Sequence, residues 1–198
     1  ESGNIYITSA YRQPTMSIGS TTLTNTSTAG ATYDIYVAKY DPSGTPLWAT
    51  SVGGEGNDYS YGITVASTGN VYITGSFSSL SMPVGSSVVS NPYAVVVSGA
   101  DTPIAYIAKF NGTTGAPLWG EAGGAADCNR GAFGVGLAHD NAGNVYLTGG
   151  FANPSITWGS TTVTRPHPSF TSNRLSLYLV QYSSSDVVTW NKCISSDT

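Results

Sequence analysis

Gly69-Asn70-Val71-Tyr72-Ile73-Thr74-Gly75 is the stretch of sequence that decides the fold. A Gly-Asn turn leads into a strand of alternating β-branched and aromatic residues, and a small residue closes it. The same pattern occurs earlier at 3–8 and later at 143–149. A motif that recurs at a regular spacing indicates a repeat protein.

Three further motifs recur in the same order, so the repeat is about 70 residues long. The first contains a Gly-Ser turn, the second has the form Tyr-Ile-Ala-Lys, and the third ends in tryptophan. In repeat order, these motifs are marked by Ile18, Val84 and Trp158, by Tyr36, Tyr106 and Tyr178, and by Trp48, Trp119 and Trp190.

The sequence of each complete repeat predicts four antiparallel strands separated by turns. The second repeat shows them at 62–66, 71–74, 106–110 and 118–119. No ten-residue stretch carries apolar residues at helical spacing, so the predicted fold class is all-β. Glu1 and Ser2 leave no room for an inner strand in the first repeat, which gives 11 predicted strands in all.

Both faces of the predicted strands are apolar. Val71 and Ile73 share one face of their strand while Tyr72 lies on the other, and Ile107 and Tyr106 are divided in the same way. A sheet with one face in water would not show this pattern. Small four-stranded sheets that stack on copies of themselves are typical of a β-propeller.

These motifs resemble the SBBP-type β-propeller repeat over nearly the whole chain. The resemblance rests on Gly-Asn-Val-Tyr-Ile-Thr-Gly-x-Phe, on Ile-Gly-Ser-Thr-Thr-Leu at 18–23, on 34–44, and on Leu-Trp-Ala at 47–49 with the Gly-Gly that follows. The third repeat departs from the pattern, because Gln181 replaces the lysine and serines at 183–185 replace the Asp-Pro-Ser-Gly turn. The resemblance implies an extracellular or cell-surface propeller and supplies no catalytic residues.

The whole chain, 1–198, is therefore predicted to be a propeller segment of about three blades. The first blade is partial (3–58), and the second (59–128) and third (129–198) follow it. Closed propellers have about 4–8 blades, and three alone would expose apolar faces. We therefore expect either further blades of a larger protein or copies of the chain that complete one another.

Composition favours an extracellular protein and excludes nucleic-acid binding. Charged residues make up only 9% of the chain, against roughly 25% in an average protein, and the net charge is −4. No basic cluster is present, and no apolar run approaches the ~18 residues of a membrane span.

The chain opens without Met or a signal sequence, as expected for a mature product or a piece of something longer. Asn25 and Asn111 begin sequons and are the candidate glycosylation sites.

Cys128 and Cys193 both follow an outer strand, where one blade leads into the next. This places them on one face in adjacent connectors, so we predict a disulfide that closes a loop of about 65 residues. In the chain-entropy model such a bridge contributes about 4 kcal/mol. The alternative is two isolated thiols.

No catalytic, cofactor or metal site is predicted. His139 and His167 lack a neighbouring nucleophile motif, and are expected to be solvated. Oxygen ligands for Ca²⁺ could come from Glu55, Asn57 and Asp58, and in the next repeat from Asp127 and Asn129. The spacing of a calcium loop is absent.

Partner binding is predicted in the loops that vary between repeats, at 24–32, 91–102 and 165–173. Their candidate binding residues are Tyr93, His167 and Phe170; Tyr61 is a further aromatic outside the repeat pattern.

The function predicted from these features is non-catalytic. We expect a structural or adhesive role on a cell surface, or as a building block of an extracellular filament or layer, with further blades or copies of the chain as partners. One alternative is a propeller that binds glycans or proteins through its variable loops. Another is a fragment of a propeller enzyme.

Overall fold

The computed structural model describes residues 3–27, 31–91, 102–124, 131–165 and 175–194. Over these ranges the protein is all-β: strands account for 63% of the residues and no helix is present. The predicted fold class is thereby confirmed at this level.

Seventeen strands are found in the described ranges, and every pairing between them is antiparallel. In chain order they are β1 (Ile5–Tyr11), β2 (Thr15–Ile18), β3 (Thr21–Thr24), β4 (Asp34–Tyr40), β5 (Pro46–Val52), β6 (Asp58–Val65), β7 (Val71–Phe77), β8 (Ser81–Val84), β9 (Ser87–Ser90), β10 (Ile104–Phe110), β11 (Pro117–Gly123), β12 (Ala132–His139), β13 (Val145–Phe151), β14 (Ser155–Trp158), β15 (Thr161–Thr164), β16 (Ser176–Tyr182) and β17 (Val188–Ile194).

Eleven of these strands form three main sheets. The first sheet is β1-β4-β5, the second is β6-β7-β10-β11, and the third is β12-β13-β16-β17. The prediction of four antiparallel strands in each complete repeat, and three in the first, is confirmed for the main sheets, but the predicted total of 11 strands was too low.

The other six strands form three hairpins, β2–β3, β8–β9 and β14–β15, which the sequence pattern did not predict. Each turns at a Gly-Ser pair whose glycine has a positive φ: 59° at Gly19, 58° at Gly85 and 56° at Gly159. Such glycines favour tight two-residue hairpin turns. Each hairpin packs on the outer strand of a main sheet, β3 on β5, β9 on β11 and β15 on β17.

The second sheet lies between the other two and is buried on both faces. The apolar cluster that joins it to the first sheet is centred on Ile35, Val37, Val71 and Ile73. The cluster that joins it to the third sheet is centred on Tyr72, Ile107, Leu147 and Val180. All seven residues of β7 are buried, whereas its counterparts β1 and β13 are partly exposed. The two-sided burial predicted for this strand is confirmed.

β6 and β12, edge strands of the second and third sheets, each contain a β-bulge, with Tyr61 and Val135 as the extra residues. Gly75 and Gly149 lie opposite these bulges, and a Cβ at either would overlap the carbonyl oxygen of Tyr59 or Phe133, respectively. At the same position β1 has Ser9, which pairs with Tyr36 as Gly75 pairs with Tyr106. A strand with the same bulge as β6 would therefore clash with the Ser9 side chain if it paired with β1.

Candidate functional site

The junction between the first and second sheets is fixed by two donors that reach one carbonyl. Lys39 Nζ donates to the Gly112 carbonyl oxygen at 2.9 Å, and Trp48 Nε1 donates to the same oxygen at 3.3 Å. The ammonium group also lies 5.3 Å from the centre of the Tyr6 ring, a cation–π distance. Strand residues of the first sheet thus hold the turn that joins β10 and β11 in the second sheet.

At the junction between the second and third sheets, the equivalent lysine binds an acidic side chain in the turn of the next sheet instead of a backbone carbonyl. Lys109 Nζ pairs with Asp186 Oδ2 at 2.7 Å, and the Tyr72 hydroxyl donates to Asp186 Oδ1 at 2.9 Å. Burial, with the hydrogen bond and charge of this carboxylate, raises the pKa of Tyr72. Lys109 and Asp186 are 12% and 21% exposed, so water screens the pair only in part.

Asp186 also adopts a backbone conformation that favours glycine. Its φ is 62°, and it is the one non-glycine residue of the described ranges with a positive value. The corresponding turns of the first and second repeats have Gly44 and Gly115 there, with φ of 83° and 75°. The ion pair therefore forms at a residue that tolerates this backbone less readily than glycine.

The third repeat has no lysine to continue this pattern. Gln181 Nε2 donates to the Tyr146 hydroxyl at 2.9 Å, and Gln181 Oε1 accepts from the Thr189 hydroxyl at 2.7 Å. Both partners lie in the same sheet, so the glutamine is satisfied without a neighbouring turn. This accounts physically for the departure from the repeat that the sequence shows at Gln181.

Two sheet faces have no neighbour among the described residues. On the third sheet, Leu177 and Ile194 pair on the side away from the second sheet, and each is 51% exposed. On the first sheet, Ile5 pairs with Tyr40 on the side away from the second sheet and is 48% exposed. We call these the outgoing face and the incoming face.

Asp58 is a buried carboxylate that holds the connector between the first and second sheets. It accepts from the backbone nitrogens of Gly54, Ser78 and Ser79 and from the Ser79 hydroxyl. Burial raises the pKa of Asp58 to about 6, although these hydrogen bonds favour the charged form. Because donors already surround the carboxylate, it is a structural anchor rather than a ligand poised for a cation.

A second buried acid, Asp34, anchors the start of β4. Its Oδ2 accepts from the backbone nitrogen and hydroxyl of Thr26, at 2.7 and 2.9 Å. Burial raises the pKa of this carboxyl group as well. Across the described ranges, no three His, Cys, Asp or Glu side chains are grouped as a metal site would require.

Several predicted site residues lie outside the described ranges. Cys128, Tyr93, His167 and Phe170 are among them, so the disulfide and the loop-binding predictions stay predictions. Cys193 lies within β17, opposite Tyr178, and is half-buried. The prediction that it follows the outer strand was wrong, because the pairing of β17 with β16 continues past Trp190 to Ile194.

The two sequons differ in their environment. Asn25 is 1% exposed, and its amide nitrogen donates to the carbonyl oxygens of Tyr11 and Thr32. A glycan would replace one of the two hydrogens on this buried nitrogen and so break at least one of these bonds, which argues against Asn25 as an acceptor. Asn111 is half-buried in a turn, where its Oδ1 accepts from the backbone nitrogens at 113 and 114, and it remains the candidate acceptor.

Three tyrosines and an arginine form a row on the surface, which we call the tyrosine ridge: Arg12, Tyr33, Tyr59 and Tyr61. The ring centres of Tyr33 and Tyr59 are 5.2 Å apart. Those of Tyr59 and Tyr61 are 6.4 Å apart with planes only 7° from parallel. The Arg12 guanidinium lies 5.9 Å from the centre of the Tyr33 ring. The sequence singled out only Tyr61. Tyr59 follows the repeat, since Phe133 lies at the corresponding position of β12, whereas Tyr33 and Tyr61 have no aromatic counterpart there.

A cleft of about 740 Å³ lies where the three repeats meet. Residues of every repeat line it, including Asn4, Tyr6, Ser67, His139 and Asn141. The exposed His139 hydrogen-bonds through Nδ1 to the Thr64 hydroxyl at 3.2 Å, which links the second and third sheets. The described residues that line it mix polar and apolar groups, and they include no acidic or basic side chain apart from this histidine.

None of the described segments forms a helix long and apolar enough to cross a membrane. Comparison with known proteins finds no family model that matches the chain and no curated protein with significant similarity to it.

Proposed function

We propose that the chain is a non-catalytic β-propeller segment of an extracellular or cell-surface protein. In this proposal the three main sheets are blades, and the role is structural or adhesive. The incoming and outgoing faces are covered by further blades of the same protein or by copies of this chain, as in an extracellular filament or layer.

The observation that carries the proposal is the contrast between the middle sheet and the outer two. β7 is buried at every position because a sheet packs on each of its faces. The incoming face of the first sheet corresponds to a face that is buried in the second and third sheets. Likewise, the outgoing face of the third sheet corresponds to faces buried in the first and second. Equivalent surfaces with the same apolar character favour equivalent packing.

The outgoing face also retains the aromatic residues that form the internal junctions. Tyr146 and Trp190 lie with ring centres 6.2 Å apart, the same separation as Tyr6 and Trp48 in the first sheet. In the first junction Trp48 is nearly buried beneath the next sheet, whereas Trp190 is half-buried. A neighbour packed on the third sheet would bury it further.

An extracellular location is supported by composition and by the remaining sequon. Hydroxyl and amide side chains replace most of the usual charges, and Asn111 lies in a turn.

The test is the mass and shape of the purified particle, measured by light scattering after size-exclusion chromatography and by negative-stain electron microscopy. We expect a ring, a filament or another assembly larger than the 20.4 kDa chain. Leu177→Glu and Ile5→Glu, on the outgoing and incoming faces, should weaken the assembly because they place a charge in an apolar contact.

Val88→Glu is the matched control. Val88 is 63% exposed on β9, outside both faces, so this change should leave the assembly intact. A stable, soluble particle of 20.4 kDa would overturn the proposal, as would an assembly insensitive to both face variants.

A further inference from the structure

Two of the three tyrosines in the ridge, Tyr33 and Tyr61, are not required by the repeat. Pro103 occupies the position of Tyr33 in the next repeat. The carbonyl oxygen of Tyr33 accepts from the backbone nitrogen that begins β6, and the carbonyl oxygen of Pro103 accepts from the one that begins β12. Tyr61 corresponds to Val135, the extra residue of the other bulge. The third sheet packs with smaller residues at these two positions, so the stacking of sheets does not explain the rings of Tyr33 and Tyr61. Tyr59 corresponds to Phe133 and follows the repeat.

The backbone places Tyr61 at the surface. It is the unpaired residue of the bulge in β6, and a bulge re-aims the side chain it carries. Tyr61 is 54% exposed, and its hydroxyl shares a hydrogen bond with the Ser76 hydroxyl at 3.1 Å. The ring is therefore exposed and also held in one orientation.

The other end of the ridge is fixed in a similar way. The backbone nitrogen of Tyr33 donates to Asn57 Oδ1 at 3.3 Å, and the ring packs between Arg12 and Tyr59. Aromatic residues held in place before a ligand arrives lose little conformational entropy on binding. The ridge thus has the rigidity of a binding platform.

The size of the ridge favours a small amphipathic ligand over a protein. A tyrosine buries about 150–250 Å² at most, and these rings already cover part of one another. A stable protein interface needs roughly 800 Å² from each partner. Three adjoining rings fall short of that area, but they suit a ligand only a few ring units long.

We propose that the tyrosine ridge binds an oligosaccharide of pyranose sugars. The C–H faces of the sugars lie on the tyrosine rings, and their hydroxyl groups meet the polar groups beside the ridge. Arg12, at one end, presents guanidinium N–H donors to hydroxyl or carboxylate oxygens of the sugar. This site is separate from the incoming and outgoing faces, so it does not depend on how the sheets assemble.

The test is binding of the full chain to a panel of oligosaccharides, measured by isothermal titration calorimetry. The probes are cello-, xylo-, manno- and chitohexaose as neutral sugars and oligogalacturonate as an acidic one. We expect at least one to bind, and Tyr61→Ala to weaken that binding about tenfold or more, as truncation of an aromatic anchor does.

Two variants separate loss of the ring from loss of the fold. Tyr61→Phe keeps the ring and removes the hydroxyl, so binding should persist. Val135→Ala changes the corresponding bulge residue, 51% exposed, and should leave binding unchanged. Thermal unfolding of each variant checks the fold, and a Tyr33→Ala variant tests the ridge again if Tyr61→Ala is unstable.

Absence of binding to every probe would overturn the proposal. So would equal affinities of the wild-type chain and folded Tyr61→Ala, or a ridge that captures a protein partner but none of the sugars.

Discussion

At Asp186 the positive φ destabilises the folded state, while the ion pair to Lys109 stabilises it. Replacing Asp186 by glycine therefore tests how much the ion pair contributes to the junction between the second and third sheets. Asp186→Gly restores the residue that the other two turns carry at this position. It removes both the ion pair to Lys109 and the acceptor of the Tyr72 hydroxyl.

The expected change in the free energy of unfolding is the difference between a small gain from the backbone and a larger loss of hydrogen bonds. Relief of the positive φ contributes about 1 kcal/mol, and the added flexibility of glycine in the unfolded chain offsets most of it. A hydrogen bond to a charged group contributes about 1.5–3 kcal/mol, and two are lost around a carboxylate only 21% exposed. We expect Asp186→Gly to lower the free energy of unfolding by about 2 kcal/mol.

Equilibrium unfolding in urea measures this change, and a double-mutant cycle assigns it. Combined with Lys109→Met, the effect of Asp186→Gly should shrink by about 1 kcal/mol, because the pair is already broken. Lys39→Met is the matched control: Lys39 binds a carbonyl in the other junction, so the two effects should add. An Asp186→Gly variant as stable as the wild type, or an additive cycle with Lys109→Met, would refute the reasoning.

Three other predictions follow from individual contacts in the structure. Since the pKa of Asp58 is raised to about 6 on folding, the native state binds the extra proton, and stability falls as pH rises from about 4 to 7. The difference in unfolding free energy between wild type and Asp58→Asn should fall by up to about 3 kcal/mol over that range, and a difference independent of pH would contradict this. Expression in a glycosylating eukaryotic host, followed by peptide mass spectrometry, should find glycan at Asn111 and none at Asn25; the reverse would show that Asn25 leaves its hydrogen bonds. Gly75→Ala should lower the free energy of unfolding by about 1–3 kcal/mol, because the new methyl group overlaps the Tyr59 carbonyl, while Ser9→Ala should be silent. Equal thermal stability of these two variants would show that the bulge can move aside.

The sequence predicted the main sheets well, because each strand carries its own alternation of residues. Val71, Tyr72 and Ile73 place apolar side chains on both faces, and this pattern is meaningful only for a sheet covered on both sides. The hairpins were harder to predict. In β9 only Val89 is buried while its neighbours are half-buried or exposed, so four residues carry too little alternation to indicate a strand.

The contacts between sheets could be predicted only in part. The lysines were visible as a repeated residue, and Gln181 was visible as an exception. Their partners were not, because the Gly112 carbonyl and Asp186 lie about 70 residues away in turns whose sequences differ between repeats. The tyrosine ridge was missed for a related reason: Tyr33 and Tyr59 are brought together by the packing of adjacent repeats.

The two junctions satisfy equivalent lysines with different acceptors, one a neutral backbone carbonyl and the other a carboxylate. The repeats are therefore not interchangeable modules. If their order were shuffled, Lys39 would meet the turn that carries Asp186, and Lys109 would lose its counter-ion to a turn built around glycine. The lysine of each of the first two repeats thus matches the turn of one particular neighbouring repeat. Duplicating a repeat in place would require matched changes in both a strand and a turn.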